Sequence, residues 1–378
     1  MEFSLQRVDL LKELNLTQGV VERKTTIPIL SNILLEASGD SLRITATDLE
    51  LGIRSSCPAK VKKGGATTVA AKKMLDYVRQ LEHAEIKFKV VDSASGGSLQ
   101  LNCGNSHVRM PGIAKDNFPV LPDFPGKLAV LPSGMLLRMV SRTIFAVSSE
   151  ESRYTLNGAL LLLKPETMTM VATDGHRLAH VESDPSLVKK GYGGVSGEVR
   201  ILVPRKAMAE LVRLLGESKE NAGIEFGKDD NHLFFKVGGR LLVCRMLSGQ
   251  FPNYEAVLPK GNDKKVVLDR DLLTAAVRRV SLFSDERTHS IRCQLKKDEL
   301  KIISSGSDVG ESEESLPVKY EGEALEVGFN WQYLLDFLAA SGGGEISMEF
   351  KDEQSAGQLR PLTEENLRYL YVIMPMRI

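Results

Sequence analysis

The sequence predicts an α+β protein built from three repeated domains, each with two helices packed on one side of antiparallel sheets. Three observations carry this. First, one motif occurs three times: Leu42–Glu50 reads LRITATDLE, Met168–His176 reads MTMVATDGH and Leu300–Asp308 reads LKIISSGSD. Each is a β-type run with a Thr/Ser-rich, Asp-bearing end. Second, each is followed by a short strand that breaks into an amphipathic helix, at Ala66–Leu81, Val199–Leu215 and Leu325–Ala340. Third, each is preceded by a strand-then-helix opening that begins at Phe3, Leu128 or Val266. The spacing, roughly 125–140 residues, is domain-sized, whereas solenoids and propellers repeat every 20–50 or so. A chain made of three copies of one domain makes a curved or ring-shaped surface, so function should lie in that surface rather than in one catalytic cleft.

The elements follow in order. Six helices are predicted: Arg7–Leu16, Ala71–Glu82, Pro132–Ala146, Pro204–Leu215, Asp269–Ser281 and Asn330–Ala340. In the third, Met135, Leu136, Met139 and Val140 form one stripe and Arg138 and Arg142 another; in the fourth, Met208, Leu211, Val212 and Leu215 form the stripe. Pro132 and Pro204 suit a first helical turn, where the missing N–H costs nothing. Ile27–Glu36, Thr155–Leu163 and Ser290–Lys296 read as corresponding second strands. Lys87–Val91, Ser98–Cys103, Ile224–Gly227, His232–Val237, Arg240–Met246 and Ile346–Phe350 read as further short strands, with Gly- and Asp-rich turns between them. The Pro/Gly-punctuated stretches FPVLPDFPG and FPNYEAVLPKGNDKK close the first two repeats. They place domains at residues 1–126, 127–260 and 261–378.

Lys plus Arg and Asp plus Glu both number 49, so the formal net charge is zero, unlike a dedicated nucleic-acid binder. The distribution says more. The six helices hold thirteen basic and eight acidic residues, and five of the six carry Lys or Arg; NWQYLLDFLAA carries neither. That segregation suits a particle whose helices face an anion and whose sheets face water. No apolar run approaches the ~20 residues of a membrane span, and no secretory signal is visible at MEFSLQRVDL. The four cysteines, Cys57, Cys103, Cys244 and Cys293, include no C-x-x-C pair and fit reduced structural thiols in a cytoplasmic protein.

Catalytic signatures are missing. The sequence has no Walker A loop, no G-x-G-x-x-G after a strand and no G-x-S-x-G elbow. The one tempting constellation is Asp174 and His176 with Ser148 and Ser149 nearby, a hydrolase reading. A triad needs its Asp oriented on the His from a separate element, and these two are one residue apart in a turn. His176 and His180 have helical ligand spacing, but VATDGHRLAHV reads as strand–turn–strand. No catalytic residue, metal or cofactor is expected.

TDGHRL at Thr173–Leu178, RYTLNG at Arg153–Gly158, VPRK at Val203–Lys206, FPNY…VLP at Phe251–Pro259, GFN at Gly328–Asn330 and the tail YVIMPMRI together resemble the bacterial DNA polymerase III β subunit family, the sliding clamps. The resemblance runs the length of the chain. It implies the DNA clamp fold: a homodimeric, head-to-tail, ring-forming molecule that encircles duplex DNA without reading its sequence. It implies a clamp loader, the replicative polymerase and other proteins with clamp-binding motifs as partners, and no membrane. Geometry agrees. Six helices side by side at ~10 Å make a circle of axes only ~19 Å across, whereas twelve leave an opening on the order of 30 Å, enough for a duplex.

The resemblance also implies site residues. A peptide-binding pocket would comprise Arg153, Leu156, Thr173, Gly175, His176, Arg177, Leu178, Pro252, Val257, Asn330, Tyr333, Val372, Met374, Pro375, Met376 and Arg377. DNA contact would fall to Lys24, Lys72, Lys73, Arg79, Ser149, Arg153, Arg205 and Lys206. Val108 and Met110 would meet Leu282 and Phe283 across the dimer interface. Gln354 and Ala356 stand where the resemblance implies small or β-branched residues in the second half of the pocket, and Gln354–Asn366 is longer and more polar than it implies. A three-domain peptide-binding adaptor that never touches DNA is the alternative outside catalysis.

Overall fold

The computed structural model describes the chain except residues 23–25, 83, 92–96, 186–191, 218–221, 307–309, 364–365 and 378. Among the described residues, short antiparallel strands dominate, joined by helices α1 (Arg7–Thr17), α2 (Ala71–Gln80), α3 (Ser133–Ser141), α4 (Arg205–Gly216), α5 (Arg270–Ser281) and α6 (Trp331–Ala340). None of these helices is long and apolar enough to cross a membrane. The chain divides into two compact units, Met1–Gly134 with Lys206–Met246, and Met135–Arg205 with Leu247–Ile378.

The first unit holds two sheets. A five-stranded sheet runs in the order Lys60–Lys63, Glu2–Gln6, Glu85–Val91, Ser98–Cys103, Ser106–Pro111. Its strands alternate as half-buried strands must: Ile86 and Phe88 point in, and Lys87 and Lys89 point out. An eight-stranded sheet runs Ala129–Pro132, Gly223–Lys228, His232–Val237, Arg240–Arg245, Leu51–Pro58, Ser41–Thr47, Asn32–Ser38, Gly65–Ala70. It joins strands from both sides of position 126, through pairing of Leu241 with Arg54 on to Cys244 with Leu51. A buried charge network flanks this seam. Arg240 donates to both oxygens of Glu13 at 3.0 and 2.7 Å and to Glu217 at 3.0 Å. Glu13 is only 6% exposed, and a carboxylate so placed demands such pairing. The connector after the first repeat lies on the same sheet. A Cβ at Gly52 would meet Leu121 at 2.3 Å, so glycine is what lets the connector approach.

The second unit repeats the plan. Its eight-stranded sheet runs Val199–Pro204, Gly158–Leu163, Met168–Thr173, Arg177–Ser183, Leu367–Ile373, Gly357–Pro361, Glu345–Phe350, Lys264–Asp269. Here the seam pairs Arg177 with Ile373 on to Ser183 with Leu367. A four-stranded sheet runs Gly310–Pro317, Glu299–Gly306, Ser290–Lys296, Leu325–Asn330. The two seams close alike: the Arg245 N–H donates to the Glu50 carbonyl at 2.7 Å, and the Met374 N–H donates to the His176 carbonyl at 2.9 Å.

Several element ends differ from the sequence reading. Pro132 and Pro204 are the last residues of strands, and α3 and α4 begin one residue later. Asp269 and Asn330 are N-caps, their side chains accepting from N–H groups of the first turn, as capping chemistry favours. The long helix expected to Ala146 stops at Ser141, where the Thr143 hydroxyl donates to the Met139 carbonyl at 2.8 Å and the chain tightens into a 3-10 turn at Ile144–Ala146. Ile27–Glu36 is a strand only from Asn32, because Pro28–Ser31 forms a 3-10 turn that suits the missing proline N–H. In the same way the strand expected from Thr155 starts at Gly158, after a 3-10 turn at Tyr154–Leu156.

Candidate functional site

The expected pocket residues all fall in the second unit, and five of them, Arg153, Thr173, Gly175, His176 and Arg177, are linked by bonds around one turn. Thr173 Oγ1 donates to the Arg177 carbonyl at 2.6 Å and accepts from the Gly175 N–H at 3.1 Å. Asp174 Oδ1 accepts from the N–H groups of His176 and Arg177 at 2.9 and 3.0 Å. Gly175 sits at φ +92°, the left-handed region, and a Cβ there would meet Arg153 Nη1 at 3.0 Å. Arg153 in turn donates to the Asp174 carbonyl at 2.9 Å.

Arg177 holds this turn to the rest of the unit. Its guanidinium donates to Asp174 Oδ2 at 3.0 Å, to Asp336 Oδ2 on α6 at 2.6 Å and to the Phe145 carbonyl at 2.6 Å. It also stacks 4.2 Å from the Tyr333 ring centroid and 5.3 Å from that of Phe145. Burial alone disfavours its charge, but Tyr371, Asp336 and Asp174 outweigh burial, so its pKa lies above the usual arginine value. Fork geometry of this kind is what a planar guanidinium supplies and an ammonium does not. Sequence reasoning counted Arg177 among the pocket residues but included neither Asp336 nor Phe145. One signal was available: Asp336 is the lone charge in α6.

The tail lies across this frame. The Met374 N–H donates to the His176 carbonyl at 2.9 Å and the Met376 N–H to the Gly328 carbonyl at 2.8 Å. Leu178 and Val372 face each other across the seam and belong to one apolar cluster with Leu160, Val171, Leu202 and Tyr254. Tyr254 opens the 3-10 turn that ends in Val257, and Leu258, the next residue, packs against that cluster. Val257 is 43% exposed and Met374 37%, so both present apolar surface to solvent. Pro252 is exposed, Leu156 is half-buried, and Asn330 serves as the cap of α6. Ala356 packs against the same cluster, whereas Gln354 stays exposed. Beside the tail opens a cleft of about 740 Å³ lined by Glu326, Gly328, Glu353, Gln354, Pro375, Met376 and Arg377.

The hydrolase geometry is not present. Both Asp174 oxygens serve the turn and Arg177, and the Ser148 hydroxyl accepts from the Glu150 N–H. His180 packs on the Tyr254 ring, and burial lowers its pKa, while His176 is exposed.

The expected DNA contacts stand differently. Lys72, Lys73 and Arg79 are exposed on α2, where they line a groove of about 440 Å³ with the end of α1. Arg79 also donates to Asn15 at 2.7 Å. Arg205 is exposed at the start of α4. Lys206 is half-exposed but bonded to Asp48, whose side chain is 2% exposed, so part of its charge is already engaged. Ser149 and Arg153 are exposed, and Arg153 pairs with Glu150 at 2.8 Å. Lys24 lies outside the described residues.

Two of the four expected interface residues lie on a sheet edge and two follow a helix. Val108 and Met110 are on Ser106–Pro111, the edge of the five-stranded sheet. Met110 is 8% exposed, packed into its own unit, so the outward side chains of this edge are those of His107 and Arg109. Leu282 (75% exposed) and Phe283 (37%) follow α5. Phe283 lies by Gly310, which opens the edge strand of the four-stranded sheet with its Glu311, Glu313 and Glu314.

Comparison with known proteins covers the whole chain. Family models described as the N-terminal, central and C-terminal domains of the DNA polymerase III beta subunit match residues 1–122, 130–253 and 255–377. The chain is 36% identical to the beta sliding clamp of Pseudomonas putida, with 100% of both chains covered. It is 34% identical to that of Chlamydia muridarum, covering 100% of this chain and 99% of the relative. The structure is similar to a sliding clamp of Pseudomonas aeruginosa bound to griselimycin, with TM-score 0.91 and 35% identity over 100% of both chains. It is likewise similar to a Caulobacter crescentus beta sliding clamp with polyethylene glycol at a putative beta-motif tethering region, with TM-score 0.88 and 32% identity over 100% of both.

Proposed function

We propose a two-copy ring as the working form of this chain, which belongs to the DNA polymerase III beta subunit family. It is a sliding clamp, a non-catalytic processivity factor that encircles duplex DNA and tethers the replicative polymerase. The proposal concerns how it does so. One observation carries the ring: each unit is already joined by antiparallel strand pairing, and each has a smaller sheet that ends in an edge strand. One edge strand carries His107 and Arg109, the other Glu311, Glu313 and Glu314, of which Glu313 also reaches Lys301 and Glu314 pairs with Arg279. The edge with His107 and Arg109 from one copy would meet the edge with Glu311, Glu313 and Glu314 from a second, with Val108 against Leu282 and Phe283. Head-to-tail contact closes after two copies if the rotation does. The domains at residues 1–126, 127–260 and 261–378 would then recur six times around the hole.

Inside the ring, Lys72, Lys73, Arg79, Ser149, Arg153, Arg205, Lys206 and Lys24 would attract phosphates without reading bases. The pocket around Arg177 and the tail would hold short Gln- and Leu/Phe-bearing segments of the clamp loader, polymerase and other partners, each at about micromolar affinity, ~8 kcal/mol. Flexible thioethers let Met374 and Met376 fit several such segments. We place this work in the cytoplasm, with the replication machinery.

Topology gives the test. On nicked circular DNA, the loaded ring should survive about 0.5 M salt, while on linear DNA with free ends it should slide off within seconds to minutes; a phosphate-held complex would lose both equally. The interface has its own test. Leu282→Ala with Phe283→Ala should weaken dimerisation at least ~10-fold by removing two exposed apolar anchors. Sedimentation at nanomolar concentration reads this, and an unchanged dimer mass would refute the assignment.

A further inference from the structure

The cleft beside the tail shares Pro375, Met376 and Arg377 with the proposed peptide site, and its walls are charged. Glu326 and Glu353 stand there against a single guanidinium, Arg377. Glu326 is already engaged, accepting from Gln294 Nε2 at 2.6 Å and lying 3.7 Å from Arg292. Glu353 is exposed and, among the described residues, has no hydrogen-bond or ion-pair partner; it does not pair with Arg377.

The turn that presents Glu353 is built rather than loose. Asp352 accepts from the N–H groups of Gln354 and Ser355 at 2.9 and 2.7 Å and from the Ser355 hydroxyl at 2.9 Å. Those bonds, the hydroxyl's first, hold the Asp352 carboxyl below the usual carboxylate range, so the turn is set at neutral pH. Asn262 Nδ2 bridges the carbonyls of Glu349 and Ala356 at 2.9 and 3.1 Å, and Lys264 Nζ donates to the Lys351 carbonyl at 3.0 Å. The backbone that carries this unpaired carboxylate is therefore held in place on the wall of a cleft that shares Pro375, Met376 and Arg377 with the proposed peptide site. It stands one residue before Gln354, where the sequence reading expects the polar departure from the family to begin.

We propose that this cleft selects among partner peptides by a basic side chain flanking their apolar anchors, with the Lys or Arg cation received by Glu353 and supported by Glu326. The inference rests on the peptide pocket described above. A polar extension of this kind adds little raw affinity and much discrimination, because the wrong charge is repelled as well as unrewarded.

The test uses the full-length clamp and fluorescent short peptides bearing Gln and Leu/Phe, carrying two lysines or two glutamates on either the N- or the C-terminal flank. At low salt, one flank should show a preference for lysine over glutamate of about five-fold, the range of two partly exposed charge contacts. Raising salt should shrink it. Glu353→Gln should erase the preference and Glu353→Lys should invert it, while binding of a peptide with uncharged flanks stays unchanged. Affinity independent of flank charge at both ends overturns the inference, as does the same preference in Glu353→Lys. If no peptide binds the unaltered clamp, including the one with uncharged flanks, the pocket itself is wrong and the selectivity falls with it; binding without selectivity removes only the cleft's role.

Discussion

Arg177→Ala should cost the second unit about 3 kcal/mol, because it strips a buried three-way hydrogen-bonding centre and leaves its acceptors behind. The side chain is 9% exposed, as against 15% for Asp174 and 44% for Asp336. Asp336 can therefore turn to water, and most of the cost falls on Asp174 and on the Phe145 carbonyl. The two aromatic rings lose a cation each, worth about 0.5–2 kcal/mol where water is excluded. For a unit of this size the melting temperature should drop by roughly 6–12 °C in differential scanning calorimetry. Arg177→Lys should recover only part of it, since one ammonium cannot span Asp174, Asp336 and a carbonyl together. A melting point within 2 °C or so of the unaltered protein would show that the centre is ornamental. Peptide affinity should fall as well, because Arg177 fixes both the Thr173–Arg177 turn and the Tyr333 ring.

Deletion of Met374–Ile378 should have the opposite profile, leaving the fold and removing the function. The core ends at Ile373, which is fully buried with Tyr371 and Val372 beside it, whereas Met374 is 37% exposed. Two backbone hydrogen bonds are lost, to His176 and Gly328, each worth about 1 kcal/mol. The peptide loses the thioether and proline wall against which its apolar anchors would be desolvated. One buried anchor is worth about 1.5–3 kcal/mol, so affinity should fall ~100-fold if one to two are lost. Fluorescence anisotropy measures this, and sedimentation shows whether the truncated chain still dimerises. Binding retained within three-fold or so would move the pocket elsewhere.

The helices were legible because most of them carry their own 3.6-residue signature, and all six appear where the sequence put them, to within a few residues except at the end of α3. The seams were not. Leu241 pairs with Arg54 and Leu178 with Val372, partners nearly two hundred positions apart, and nothing in either strand marks the other. The turn TDGHRL was visible as a motif, yet the role of Arg177 depends on Asp336 and Phe145, which arrive from other elements. Charge was the least transferable reading. Lys206 looked like a free cation and is bonded to Asp48, while Arg7 donates to the Val78 and Arg79 carbonyls at 2.9 and 2.7 Å and so closes the end of α2.

Read alone, the sequence determined the triplication, the α+β character, the helices and the motifs that announce the family. All of these are local: periodicity, capping residues and short runs that any stretch of chain carries within itself. Only the tertiary structure decided which strands join into the two eight-stranded sheets, which edges stay free, and which charges are spoken for. Those depend on which groups meet after folding. A carboxylate such as Glu13 becomes buried, and an arginine such as Arg240 becomes its obligatory partner, only once two distant segments are brought together.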